Sequence, residues 1–184
     1  NKSALNGKYD ITKLSFNAYQ AVSDQYKILS AGVAVGKHNG PLLISKKNIK
    51  LSELKNLRIA IPGKMTTANL LFTIAFPEVT NKTEVLFSDI EALILNDEFD
   101  AGLIIHETRF TYAEKGLKKI VDLGEFWESN YNKYLPLGCI AVKRKIQTDI
   151  QLKINELIRS SIIFSNMQLP VISSYIKENA KNYL

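Results

Sequence analysis

The chain has 184 residues, of which 46% are hydrophobic and 23% charged, a composition that excludes disordered and fibrous proteins and predicts a sizeable core. No stretch approaches the roughly 18 consecutive apolar residues of a membrane-spanning helix, so we expect a soluble protein with no membrane partner. The net charge of +6 comes largely from scattered lysines without interleaved aromatic residues, which argues against nucleic acid and favours a small anionic ligand.

The first predicted strand ends in polar side chains. Residues 9–15 predict a strand, and residues 16–22 that follow carry apolar side chains at helical spacing. Lys13 and Ser15 lie at the end of this strand. They are either solvated or capping groups, or they face a ligand-binding crevice.

The next motif is a strand, a glycine turn and a helix start. Residues 58–62 predict a short buried strand, and Gly63 leads into a helix that begins around Thr66 and Thr67 and runs to Phe76. Free amide groups and the helix dipole make such an N-terminus a favourable anion site, and the two hydroxyls add donors beside it. The alternative is that the threonines only cap their own helix.

The middle of the chain alternates strands and helices. Residues 84–87 predict a strand, and Ser88 with Glu91 matches a capping box at the start of the next helix. Residues 101–107 form an apolar run typical of a strand buried on both faces. Residues 58–107 therefore predict a β-α-β-α-β unit with parallel pairing.

His106 lies at the carboxyl end of this apolar run. Ligands of open α/β sheets bind outside the carboxyl ends of the strands, so an imidazole at this position is placed for chemistry, unless it only hydrogen-bonds the next loop. The other histidine, His38, lies on a predicted loop, and the chain has no closely spaced His/Cys pair, so we expect no metal site. Cys139 lies in an apolar run and is expected to be buried.

Residues 107–112 are too polar for a core strand. Glu107 and Arg109 could pair with each other, hold His106, or bind ligand, and their spacing does not decide between these roles. Further on, residues 119–124 and 135–142 predict strands. Two helices are expected near the end of the chain, over residues 148–165 and 170–181.

Several segments carry a resemblance to a known family. The pattern from Ser52 to Thr67 is similar to the second lobe of two-domain periplasmic-binding-protein-like folds. Five runs resemble the 1,4-dihydroxy-6-naphthoate synthases of the futalosine route to menaquinone, and the match extends from Asp10 to about Arg144. These runs are residues 12–19, 62–68, 101–112, 121–124 and 135–138.

The resemblance implies an α/β, two-lobed periplasmic-binding-protein-like (type 2) fold with mixed, mainly parallel sheets. The first lobe would be discontinuous and incomplete, formed by residues 1–44 and 139–184, and the second lobe would comprise residues 45–138. Family members have an additional N-terminal strand with a Pro-Asn-Asp-Thr-Phe-like loop, and a C-terminal extension. We therefore expect either a fragment of a longer protein or a shortened first lobe.

The resemblance also implies a cytoplasmic lyase that converts cyclic dehypoxanthine futalosine to 1,4-dihydroxy-6-naphthoate without a cofactor. His106 would be the general base, with Glu107 and Arg109 as supporting residues behind it. Two alternatives stay open, a chorismate dehydratase on the same scaffold and a non-catalytic solute-binding protein. The substrate contacts implied by the resemblance are Lys13, Leu14, Ser15, Thr67 and Ala68, with Thr66 adjacent.

Overall fold

The computed structural model describes residues 1–168, in which nine strands form two sheets. The strands are β1 (Ile11–Ser15), β2 (Tyr26–Ile28), β3 (Ala34–Gly36), β4 (Leu42–Ser45), β5 (Ile59–Ile61), β6 (Lys82–Glu84), β7 (Ala101–Ile104), β8 (Lys118–Asp122) and β9 (Leu135–Lys143). The helices are α1 (Lys2–Leu5), α2 (Phe16–Gln20), α3 (Thr67–Ala75), α4 (Ile90–Leu95), α5 (Thr108–Thr111), α6 (Leu123–Tyr131) and α7 (Thr148–Gln168).

The first sheet is built around β9, which pairs antiparallel with β1, β2 and β3. Its core contains Leu14, Tyr26 and Cys139, all of them buried. The prediction that Cys139 is a buried small residue is confirmed, and its burial raises the pKa of the thiol above the ordinary value.

The second sheet has the strand order β6-β5-β7-β4-β8. β5 pairs parallel with β6 and β7, which confirms the predicted β-α-β-α-β unit. After β3 the chain leaves the first sheet, and β4 lies between β7 and β8 of the second sheet, antiparallel to both. The second sheet is mixed as predicted, but the described pairs of the first sheet are all antiparallel, and parallel pairing within residues 1–168 is confined to β5 and its neighbours. The expectation of mainly parallel sheets is therefore wrong, because only this part of the chain supplies helical crossovers.

The two sheets divide the chain at different residues from those expected. β4 belongs wholly to the second sheet and β9 to the first, so boundaries at 44/45 and 138/139 would cut both strands. The lobe assignment stays a prediction. We propose boundaries within residues 37–41 and 132–134, which connect strands of different sheets.

The predicted strand at 84–87 is misplaced. β6 ends at Glu84 because its partner β5 has three residues, and residues 87–89 form a 3-10 turn instead. The predicted capping box is also wrong. The Ser88 hydroxyl donates to the Asp89 carboxylate, and α4 begins without a side-chain cap.

The Asn155 side chain fixes helix α7 to the loop between β2 and β3. The Asn155 side-chain oxygen accepts hydrogen bonds from the Ala31 amide (3.0 Å) and the Ser30 hydroxyl (3.1 Å), whereas Leu157 is 70% exposed. The second helix expected over residues 170–181 lies outside the described residues. Within residues 1–168, no helix has the length and apolar character required to cross a bilayer.

β7 is the central buried strand that leads to His106. All four of its residues are buried, as predicted, and a Cβ on Gly102 would lie 2.6 Å from the Ile90 side chain of α4. The Asp100 carboxylate precedes β7 and accepts hydrogen bonds from the Arg58 amide (2.8 Å) and guanidinium (2.9 Å) at the start of β5. This ion pair aligns two neighbouring strands of the sheet.

We predict that Asp100→Asn destabilises the protein at pH 7 and that the difference from the unmodified protein shrinks progressively as the pH falls below about 4. The hydrogen bond and charge of Arg58 lower the pKa of Asp100, so its stabilisation is present above the unfolded-state pKa and lost as pH falls through the folded-state pKa. Urea unfolding at pH 7 and pH 3 measures this. Glu98→Gln, at an exposed carboxylate without an ion pair within residues 1–168, is the control. Equal losses at both pH values would contradict the interpretation.

Candidate functional site

A cavity of about 670 Å³ lies between the two sheets, and all nine site residues predicted from the sequence line it. The first sheet contributes β1 and the first half of β9, and the second contributes the start of α3 and the segment after β7. The structure therefore brings the predicted residues together, although their roles stay predictions. They are Lys13, Leu14, Ser15, Thr66, Thr67, Ala68, His106, Glu107 and Arg109.

His106 is an exposed residue two positions beyond β7. Its φ of 61° is rare for a residue with a side chain, and the turn is closed by the Thr108 hydroxyl, which donates to the Ile105 carbonyl at 2.6 Å. The Phe87 ring meets the imidazole edge-on, with 5.7 Å between centroids. Within residues 1–168, no hydrogen bond or ion pair engages the imidazole nitrogens, so they are open to a ligand.

The N-terminus of α3 forms another wall of the cavity. The Thr66 hydroxyl accepts a hydrogen bond from the Asn69 amide at 3.3 Å and donates to the Gly63 carbonyl at 2.7 Å. Thr66 therefore caps its own helix, which is one of the two roles predicted for it from the sequence. The next two amides, of Thr67 and Ala68, have no acceptor in the described part of the chain. They are the free donors of this helix end.

Two predicted site hydroxyls hold the sheets together. The buried Thr67 hydroxyl lies 3.0 Å from the Leu137 carbonyl and 3.2 Å from the Pro136 carbonyl, both on β9. The Ser15 hydroxyl donates across the cleft to the Met65 carbonyl. A hydroxyl has a single proton to donate, so neither has a donor left for a ligand in this arrangement.

Lys13 places a positive charge at the cavity. It alternates along β1 with Leu14, which is buried in the core of the first sheet, and its own side chain is exposed at the cavity. Among the described residues, no carboxylate pairs with it. Its ammonium group is therefore available to an anionic ligand.

Arg109 does not pair with Glu107, so that alternative from the sequence is wrong. Its guanidinium group, 14% exposed, donates to the Gly40 carbonyl and to the Asp122 carboxylate (3.1 Å). Glu107 is exposed and precedes α5. The partners of Arg109 lie far away in sequence, where spacing along the chain gives no information.

Sequence reasoning missed several residues that line the cavity. Asn39, Gly40 and Pro41 come from the link into β4, and Phe110 projects from α5 with 71% exposure. An Asn-Gly-Pro run is a turn signal, but it does not indicate which site the turn faces. Phe87 lies outside the cavity lining but contacts His106, and its prediction as part of a strand gives no indication of this contact.

Two α/β sheets with a ligand-sized cleft between them define a protein of the periplasmic-binding-protein-like class. The chain belongs to the menaquinone biosynthesis family, whose family model matches residues 1–182. This agrees with the resemblance that the sequence motifs carry.

Curated relatives agree with the family assignment. A 1,4-dihydroxy-6-naphthoate synthase of Thermus thermophilus is 36% identical over 181 residues, and one of Streptomyces coelicolor is 30% identical over 186 residues. Each alignment covers 98% of this chain and 65% of the relative. The chain thus spans a little under two thirds of the length of these proteins.

Solved structures support the fold. A protein from Archaeoglobus fulgidus superimposes with a TM-score of 0.85 and 39% identity, covering 92% of this chain and 62% of that one. An arginine-specific periplasmic binding protein of Salmonella typhimurium has a TM-score of 0.61 at 12% identity, covering 86% and 69%. The latter similarity shows the fold alone and confirms the predicted two-lobed class.

We predict that Thr67→Val lowers the free energy of unfolding by about 1–3 kcal/mol, because it removes the donor that serves the β9 carbonyls. Thr67→Ser keeps the hydroxyl and should retain most of the stability. Urea denaturation of the three proteins measures the difference. Equal stability of the valine and serine variants would show that this hydrogen bond does not hold the sheets together.

Proposed function

We propose that this protein acts as a carbon–carbon lyase that converts cyclic dehypoxanthine futalosine to 1,4-dihydroxy-6-naphthoate. Both curated relatives carry the name of that synthase, and the alignments cover nearly the whole of this chain. The observation that carries the proposal is the open imidazole of His106, in one cavity with the free amides of α3.

His106 is the proposed general base. A base must reach the proton it removes, and imidazole is the side chain whose ordinary pKa lies closest to neutrality. His106 abstracts a proton next to a carbonyl group of the substrate. The electron pair left behind starts cleavage of the carbon–carbon bond between the ribose remnant and the aromatic portion. Closure of the lobes excludes water during this step.

The substrate carboxylate is proposed to lie at the start of α3. The amides of Thr67 and Ala68 and the helix dipole favour an anion there, and the ammonium group of Lys13 lines the same cavity. Arg109 is not a candidate for this role, because both ends of its guanidinium group are bound within the protein.

The aromatic portion of the substrate is proposed to lie against the apolar surface around His106. The Phe87 ring contacts the imidazole, and the exposed Phe110 ring lines the cavity. Large exposed aromatic groups at a cleft are typical of ligand contacts.

We expect His106→Asn to abolish release of 1,4-dihydroxy-6-naphthoate by the full-length gene product while leaving the fold intact. Asparagine tolerates the positive φ of this position and cannot act as a base. Product formation is followed by chromatography with cyclic dehypoxanthine futalosine as substrate. The control is His38→Asn, because His38 also has a positive φ, of 57°, and its imidazole pairs with Glu128 at 3.1 Å.

Turnover of His106→Asn near that of the unmodified protein would overturn the proposed role of His106. A parallel assay with chorismate separates the dehydratase on the same scaffold from the lyase. Binding of either compound without turnover by the unmodified full-length protein would favour a solute-binding protein.

We further expect Lys13→Met to raise KM about tenfold with little change in kcat, because loss of a charge-assisted contact weakens ground state and transition state alike. Lys13→Arg should restore much of the affinity. Lys27→Met, on an exposed position of β2 outside the cavity, is the matched control. The proposal for Lys13 fails if its KM change equals that of Lys27→Met.

A further inference from the structure

Arg109 lies three residues after His106 and joins the ends of three neighbouring strands. The register places Leu42 of β4 opposite Ile104 of β7 on one side and opposite Asp122 of β8 on the other. The segment before β4, the end of β8 and the turn after β7 therefore meet at one edge of the sheet. The guanidinium group of Arg109 lies among them.

Arg109 and Asp122 both bond groups of neighbouring segments. Arg109 donates to the Gly40 carbonyl before β4 and to one oxygen of Asp122. The other Asp122 oxygen caps α6 by accepting from the Gly124 amide (2.8 Å) and the Glu125 amide (3.2 Å). The Asp122 side chain is only 5% exposed, so its charge depends on Arg109 for compensation.

The segments that Arg109 joins are in direct backbone contact. A Cβ placed on Gly124 would lie 2.8 Å from the Gly40 nitrogen, which leaves no space for a side chain between them. The Leu123 amide also donates to the Pro41 carbonyl at 3.0 Å. The segment before β4 and the first turn of α6 are therefore packed together, and Arg109 holds the start of α5 against them.

His106 depends on this support because its own side chain has little. In the described part of the chain, its ring contacts Phe87 edge-on and makes no hydrogen bond, so the backbone turn of residues 105–108 sets the direction of the imidazole. That turn continues directly into α5, which carries Arg109.

We infer that Arg109 is a positioning residue for His106, which it orients by joining α5 to Gly40 and Asp122. The inference rests on the proposed function, because it assumes that His106 is the base. Arginine suits this role because its planar guanidinium group holds its donors in a fixed geometry, whereas the ammonium group of lysine is a point charge on a flexible stem.

The test compares Arg109→Lys and Arg109→Gln in the full-length protein, with Arg58→Gln as a control that removes another Arg–Asp pair, Arg58 with Asp100. The given chain contains two histidines, and their imidazole Cε1–H signals are assigned by NMR as those missing from the His106→Asn and His38→Asn variants of the full-length protein. We expect both Arg109 variants to shift or broaden the His106 signal and weaken its NOE to the Phe87 ring. The His38 signal stays in place and reports an intact fold.

We expect kcat to fall about tenfold or more in both Arg109 variants, with a smaller change in KM, because misplacing a base affects mainly the chemical step. Arg58→Gln should change neither the signals nor kcat. Unchanged His106 signals and NOE in both Arg109 variants would overturn the inference. A displaced His106 ring with unchanged turnover would instead support the positioning role of Arg109 and overturn the proposed role of His106 as base.

Discussion

The hydrogen bonds at the N-terminus of α3 are the constraint on which the cleft depends. The Thr67 hydroxyl bonds carbonyls of β9, and the Ser15 hydroxyl bonds the Met65 carbonyl, so both sheets are joined at one helix end. A helix start has unpaired amides in any fold. Because side-chain hydroxyls make the joint here, the amides of Thr67 and Ala68 stay free for a ligand.

The site thus separates structural from chemical groups. Buried hydroxyls and the Arg109–Asp122 pair hold segments of distant sequence in place. His106 and Lys13, both exposed, bear the groups that a substrate would meet. This division agrees with the general pattern in which reactive groups lie on loops positioned by a rigid scaffold. The same structural hydrogen bonds bring together residues that are far apart in the sequence, such as Lys13 and Arg109.

Hydrophobic runs and capping residues in the sequence predict those elements whose formation depends on neighbouring residues. The apolar run of β7, the start of α3 and the position of His106 followed from hydrophobic length, capping residues and strand order. The insertion of β4 between β7 and β8, the end of β6 and the partners of Arg109 depend on tertiary contacts, so sequence spacing could not give them. The same limit applies to the hydroxyls of Ser15 and Thr67, whose acceptors lie about 50 and 70 residues away. Helix α7 begins at Thr148 as predicted, but its apolar spacing does not reveal that Asn155 bonds the loop between β2 and β3.

The most direct measurement is a crystal structure of the full-length protein with 1,4-dihydroxy-6-naphthoate bound. We expect the carboxylate within hydrogen-bond distance of the Thr67 and Ala68 amides, about 3 Å, with Lys13 beside it and the ring system against His106 and Phe87. A naphthoate bound outside the cleft, or bound with its ring system away from His106, would contradict the proposed function.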